Sequence, residues 1–356
     1  MNKTTWLRLK QAFKEKTGVK VAAAYLALVL GLALILPWLP LPFTPGNLDL
    51  AQPFLSPFSA KALASGHWLG TDQLGRDVLV NLLYGFRTGF QIALPVMVTA
   101  LLLGTGLGSV AGFWGNKQFR LSRAALLVLV FWLPAVIFYC FYIVPNTSGQ
   151  KSSWPFLSVG LLWLLGLSLV ALVLVKLLKT LGFFAKKVAL PVDELILKTR
   201  EVLTSVPRLM LVLSFSALLA PGIGSIFLLL SLTYWAGPAR LVRAEVLKIK
   251  QLPYIEAAQV SGLPNSRILL KHILPNATAP LWVVFSFGLS SLLGLEATLS
   301  FLGIGLPPEI PSWGRMLASA RLNPEAWWLV FFPALLLCLT MLAIQTCGNF
   351  LQKTTR

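Results

Sequence analysis

Charge is what this sequence has least of. Only 12% of its 356 residues are charged, and 12 acidic residues face 30 basic ones. A soluble surface usually carries about twice that share, so a soluble globular protein is excluded. Cysteine is scarce as well. Cys140, Cys338 and Cys347 all lie in apolar stretches without metal-site or disulfide spacing, and read as small buried hydrophobes. Histidine occurs only as His67 and His272. No phosphate loop of the form G-x-x-x-x-G-K-[ST] occurs, nor an H-E-x-x-H helix or a G-x-S-x-G elbow. Nucleotide hydrolysis, zinc peptidase chemistry and serine hydrolysis by this chain are therefore not expected.

Hydrophobic residues, by contrast, make up 56% of the chain, and mean hydropathy is +0.77. They come in runs of roughly 20, the length a helix needs to cross ~30 Å of hydrocarbon. The sequence predicts an all-α polytopic membrane protein with spans near 20–39, 89–113, 122–144, 156–181, 203–220, 223–242, 278–303 and 326–350. Residues 1–19 and 351–356 are tails, 40–88 is a loop rich in Pro and Gly, and 243–277 is a polar, helix-forming stretch. The first apolar run, Val21 to Leu39, lacks a small-x-small cleavage signature and reads as a retained span.

The net charge of +18 does not point to nucleic acid, because the basic residues flank the apolar runs. Counted over alternate sides, 24 Lys and Arg fall on one side and six on the other. By the positive-inside rule the richer side is cytoplasmic, which puts both termini inside. Gly104, Gly108 and Gly112 form a bare stripe suited to close helix contact. Pro37, Pro134, Pro207, Pro280 and Pro333 lie in or at the ends of spans, tolerable only where neighbours satisfy the freed carbonyls.

The most informative stretch is Pro253 to Pro280, PYIEAAQVSGLPNSRILLKHILPNATAP. Tyr254 to Val260 should be helical, with Gly262 ending the helix in a left-handed conformation. Leu263 and Pro264 then turn the chain, and Asn265 or Ser266 is expected to cap a second helix running through His272. Glu256-Ala257-Ala258, then Gly262, then Ile273-Leu274-Pro275 resembles the EAA loop of binding-protein-dependent ATP-binding-cassette importers. Two further stretches narrow the resemblance to the peptide/nickel permeases, and to their shorter-loop type. They are His67 to Arg87, HWLGTDQLGRDVLVNLLYGFR, and Glu296 to Trp313, EATLSFLGIGLPPEIPSW. The resemblance covers roughly 20–113 and 195–350.

The resemblance implies a type I importer transmembrane domain over 89–350, with six family helices. An additional pair near 121–190 departs from the family and is expected at the lipid-facing periphery. It implies that Glu256, Ala257, Ala258, Gly262, Ile273, Leu274 and Pro275 dock on an ATPase within the cytoplasmic loop 243–277. Two cytoplasmic ATPase subunits would carry ATP and Mg, with no cofactor held by this chain. A second, different permease chain and an external substrate-binding protein would complete the importer in a bacterial-type inner membrane. The implied cargo is a peptide or a related small solute such as nickel.

Several residues keep two readings. Glu296 lies ~27 Å along its helix from Thr278, near the external mouth. It either lines the pathway or gate, or makes a structural hydrogen bond to the neighbouring loop. Asp72 and Asp77 read as turn and helix-capping groups in preference to a metal site with His67. Arg240, Arg243, Lys248 and Lys250 suit either ATPase docking or anionic lipid. An ion-coupled secondary transporter would want ionisable residues at the midplane of broken helices, which are nearly lacking. An intramembrane enzyme would need a buried nucleophile–base or metal constellation, which the sequence does not offer.

Overall fold

The computed structural model describes residues 16–116, 120–138, 153–219, 221–277 and 279–355. Expectations for Lys117, Cys140, Lys151 and most of the loop from Pro145 to Trp154 lie outside the described residues, as do those for the tail before Lys16. In chain order, α1 (Thr17–Ile35) ends in a 3-10 turn and is followed by an irregular segment holding α2 (Ala60–Ser65). The 37-residue α3 (Val78–Trp114) follows. Next come β1 (Arg120–Ser122), α4 (Arg123–Phe138), α5 (Ser153–Thr180), α6 (Gly182–Ala185) and β2 (Lys187–Ala189). Then follow α7 (Val192–Ser205), α8 (Arg208–Ser216), α9 (Ile223–Tyr234), α10 (Ala236–Lys250) and α11 (Pro253–Val260). The short α12 (Asn265–Arg267) runs on into a π-helical turn over Ile268–Ile273. The chain closes with α13 (Ala279–Phe301), α14 (Trp313–Ser319) and α15 (Trp328–Thr355).

Among the described residues five helical stretches are long and apolar enough to cross a membrane: Thr17–Trp38, Val78–Trp114, Ile223–Lys250, Pro280–Phe301 and Trp328–Gln352. The predicted spans at 122–144 and 156–181 correspond to α4 and α5, and the first of these runs into residues outside the described set. The predicted span at 203–220 is not one continuous helix. Its helix breaks at Val206, which precedes Pro207 and is disfavoured from helical backbone. The nine-residue α8 beyond it is about 13 Å long and covers only the middle of the predicted span. The next apolar run extends past its predicted end at 242, α9 and α10 together reaching Lys250.

The loop predicted over 40–88 ends at Asp77, because Asp77 starts α3 early: its Oδ1 accepts the Val80 N–H at 2.8 Å. The resulting helix is about 55 Å long, well beyond the hydrocarbon thickness. Cys338 is exposed and Cys347 half-buried, so neither is the buried hydrophobe the sequence suggests.

The described residues fall into two compact units, one within Met1–Ser109 and Arg200–Arg356, the other within Val110–Thr199. In the first, α3, α9, α13, α14 and α15 enclose a core that includes Phe86, Ile92, Met97, Leu230, Leu292 and Leu329. The glycine stripe explains one contact within it. A Cβ on Gly104 would lie 2.6 Å from Pro238 Cβ, and one on Gly108 would lie 2.5 Å from the Ala239 carbonyl oxygen. Only bare backbone lets α3 approach α10 so closely. Hydroxyl pairs tie the helices further: Tyr25 with Thr340 and Thr99 with Ser231, both at 2.9 Å, and Tyr234 to Ser291 at 3.0 Å.

In the second unit, α4 packs along α5, and β1 pairs antiparallel with β2, placing Arg120 opposite Ala189 and Ser122 opposite Lys187. Ser122 Oγ accepts the Ala125 N–H at 3.3 Å and caps α4.

Candidate functional site

The loop between α10 and α13 is a small independent frame. Pro253 sits in the first turn of α11, where its missing N–H costs nothing. At the other end of α11 the Leu263 N–H donates to the Ala258 carbonyl at 3.2 Å and the Gly262 N–H to the Gln259 carbonyl at 3.0 Å. With Gly262 at φ +73°, this paired pattern is a Schellman turn. A Cβ at Gly262 would meet nothing within 4 Å, so the demand for glycine is conformational and not steric.

Beneath α11, Ile255, Ile268 and Ile273 are completely buried, and they hold the helix on the π-helical turn. That turn satisfies its backbone by wider pairing, the Leu274 N–H reaching the Leu269 carbonyl at 2.9 Å. Asn276 Nδ2 bridges to the Tyr254 hydroxyl at 3.1 Å and the His272 carbonyl at 2.7 Å, joining both halves of the loop. With Ile255 facing inward, the helical period turns Glu256 and Val260 to the opposite face. Glu256 and Ala257 are exposed, Ala258 is half-buried, and Val260 is 90% exposed. Leu270, on the following turn, is 62% exposed. The outward face thus combines one carboxylate in the first turn of a helix, small alanines and apolar tips. Such a surface suits insertion into a groove of another protein.

The sequence-predicted residues therefore separate. Glu256, Ala257 and Gly262 are exposed on one face, Ile273 lies inside the loop, Leu274 is half-buried, and Pro275 is exposed where the chain turns toward α13. Val260 and Leu270 were not singled out from sequence; the four-residue step from Glu256 to Val260 was the available signal. Asn265 and Ser266 do not cap α12. Pro264 occupies that position without a side-chain bond, because the turn from Leu263 already sets the backbone.

At the opposite end of α13 lies a second cluster, polar and buried. Glu296 is only 3% exposed, and its Oε1 accepts from Ser300 Oγ and Ser312 Oγ, both at 2.8 Å. Ser312 in turn accepts the Gly314 N–H at 3.2 Å, capping α14. Glu296 is thus tied to the loop leading into α14, with Gly89 of α3 at its side. Arg315 gathers the same loop by donating to the carbonyls of Leu306, Pro307 and Ile310 at 2.6–3.0 Å. Burial and the neighbouring Arg76 charge lower its pKa, against the pull of Glu309 and Glu296.

The segment before α3 locks onto this region. Asp72 Oδ1 accepts the N–H groups of Leu74 and Arg76 at 2.8 and 2.9 Å, forming the expected turn. Burial raises the Asp72 pKa, partly offset by these hydrogen bonds and by the Arg76 charge. Asp77 Oδ2 lies 3.0 Å from His67 Nδ1, and His67 stacks on Phe43 at 4.1 Å between ring centres. Two indoles pin distant segments: Trp313 Nε1 donates to the Leu82 carbonyl at 2.9 Å and Trp328 Nε1 to the Thr71 carbonyl at 3.1 Å.

The family model for binding-protein-dependent transport system inner membrane components matches residues 74–354. The oligopeptide transport system permease protein OppC of Bacillus subtilis is 28% identical over 294 residues, covering 82% of this chain and 72% of that protein. The di/tripeptide transport system permease protein DppC of Pseudomonas aeruginosa is 27% identical over 343 residues, covering 96% and 88% respectively. A putative peptide transport system permease protein of Brucella suis is 28% identical over 287 residues, covering 80% and 72%.

Proposed function

The chain belongs to the family of binding-protein-dependent transport system inner membrane components, and from that membership we propose that it forms part of the translocation pathway of a peptide importer. It is a multi-pass membrane subunit of an ATP-binding-cassette importer that works with separate ATPase and substrate-binding proteins. Peptide as cargo rests on the relatives, which are named as oligopeptide and di/tripeptide permeases. Nickel has no such support. The family sets aside a secondary transporter or an intramembrane enzyme.

The observation that carries the mechanism is the exposed face of α11 on its buried isoleucine frame. In our reading Glu256, Ala257, Ala258 and Val260 seat in an ATPase groove, while Gly262 and the Ile273-Leu274-Pro275 segment fix the angle of approach. Ile255, Ile268 and Ile273 tie α11 to the segment that starts α13, so a push on the docked face is passed to a membrane helix. ATP and Mg reside on the partner ATPases. Two ATPase subunits and a second, different permease complete the core, with both termini of this chain cytoplasmic in keeping with the basic-residue count. Glu296 acts as a tie that positions the loop into α14 at the external end of the pathway.

Co-purification of the ATPase from native membranes tests this reading, comparing wild type with Gly262→Asp and Val260→Asp. Both variants should insert normally and lose at least tenfold of the bound ATPase, about 1.4 kcal/mol of docking free energy. ATPase retained at wild-type level by both would overturn the assignment of α11.

A further inference from the structure

The unit within Val110–Thr199 carries a basic cluster to which the proposed coupling assigns no role. Between Asp77 and Asp193 the sequence holds no acidic residue. Within that stretch the basic side chains of the described residues gather at one end of the α4–α5 pair. Lys176 and Lys179, three residues apart, share a face of the last turns of α5, and both are exposed. The chain then reverses through α6 into β2, which brings exposed Lys186 and Lys187 to the same end. β1 adds exposed Arg120 across the ladder, and Arg123 begins α4 with its N–H on the Lys186 carbonyl at 3.1 Å. Among the described residues no carboxylate comes within ion-pair distance of these six cations.

The surroundings of the cluster are apolar. Phe183, 64% exposed, stands beside it with the Arg123 guanidinium 4.5 Å over its ring, and Leu181 and Val188 are exposed on either side. The 28-residue α5 that leads to the cluster is apolar, and its outward Leu169, Leu172 and Leu174 are exposed. A ledge of unpaired cations and an exposed phenylalanine, at the end of an apolar helix, has the composition of a membrane–water boundary. A nucleic-acid site would lack the continuous apolar helix beneath it.

We propose that this ledge is a binding site for anionic phospholipid headgroups, with the lipid phosphate held among Lys176, Lys179, Lys186, Lys187 and Arg120 and the acyl chains lying along α5. Arg123, engaged with Phe183, orients the ring toward the acyl region and does not serve as the principal phosphate ligand. The inference is independent of the transport reading, since it concerns retention of lipid by this chain alone.

The test is native mass spectrometry of the full-length chain, purified in mild detergent and incubated with phosphatidylglycerol or phosphatidylcholine. Wild type should retain phosphatidylglycerol at least tenfold over phosphatidylcholine. The quadruple variant Lys176→Gln, Lys179→Gln, Lys186→Gln, Lys187→Gln should lose that preference, each substitution weakening retention about fivefold. The matching Lys→Arg quadruple should keep it. Equal retention of the two lipids by wild type, or an undiminished preference in the Gln quadruple, would overturn the proposal. Should the Gln quadruple fail to accumulate, Arg120→Gln alone decides, with a fivefold loss supporting the site and no change opposing it.

Discussion

The two ends of α13 are built on opposite principles. At the coupling end the side chains that matter face outward, and shape comes from backbone turns over three buried isoleucines. At the end we assign to the external side the polar side chains face inward and each is engaged: Glu296 by two serines, Asp77 by His67 and the start of α3, the Thr71 hydroxyl by the Leu55 N–H and the Gln52 carbonyl. A docking surface must leave its contacts free for a partner. A frame must consume them. Substitutions at the external end should therefore be felt as stability, and those at the coupling end as loss of partner.

The largest effect should come from Gly314→Val. A Cβ at Gly314 would collide with the Ala297 carbonyl, so α14 could not seat on α13. Loss of the chain from membranes is expected, read by immunoblot of membrane fractions. Accumulation at wild-type level would mean that the chain does not need the close approach of α14 to α13. Glu296→Ala comes next. It leaves Ser300 and Ser312 without their acceptor in a buried site, at about 1–3 kcal/mol for each unsatisfied group. The unfolding temperature in detergent should fall clearly, and Glu296→Gln, which keeps an acceptor oxygen, should recover most of it. Equal loss in both would mean that the charge, and not the hydrogen bonding, is what the site requires.

The smallest effect concerns Asp72. Because burial raises its folded pKa, the folded chain holds that proton more tightly than the unfolded one. The stabilisation is therefore present below the ordinary carboxylate range and lost as pH rises through the raised value. Asp72→Asn keeps the oxygen that accepts from Leu74 and Arg76 but has no proton to lose. Unfolding temperatures measured from pH 4 to 7 should fall less steeply for Asp72→Asn than for wild type. Identical slopes would mean that the Asp72 carboxyl binds its proton equally in the folded and unfolded chain.

Much of the coupling end was legible in the sequence because its determinants are local. Glycine is the residue that most readily takes φ near +73°, so Gly262 after a short helix marked the turn before any coordinates did. Val260 was overlooked because an apolar residue is ordinarily assigned to a core, and its exposure follows only once Ile255 is known to face inward. The external end was legible only in part. Asp72 and Asp77 cap nearby backbone and so announce themselves within four residues. Ser312 meets Glu296 across 16 positions, and Trp313 meets Leu82 across 231, separations that leave no periodic trace. The helix assigned to 203–220 is interrupted for another reason: hydropathy counts apolar residues on both sides of Pro207, while the backbone obeys the proline.

The indole of Trp328 also sets an order of assembly. It meets the Thr71 carbonyl across 257 positions of chain. At synthesis rates of 5–20 residues per second, the segment around Thr71 waits about 10–50 s for this bond to become available. During that interval the early segment is complete in sequence but unfinished in structure. The helix that begins at Trp328 is the one that closes the segment before α3.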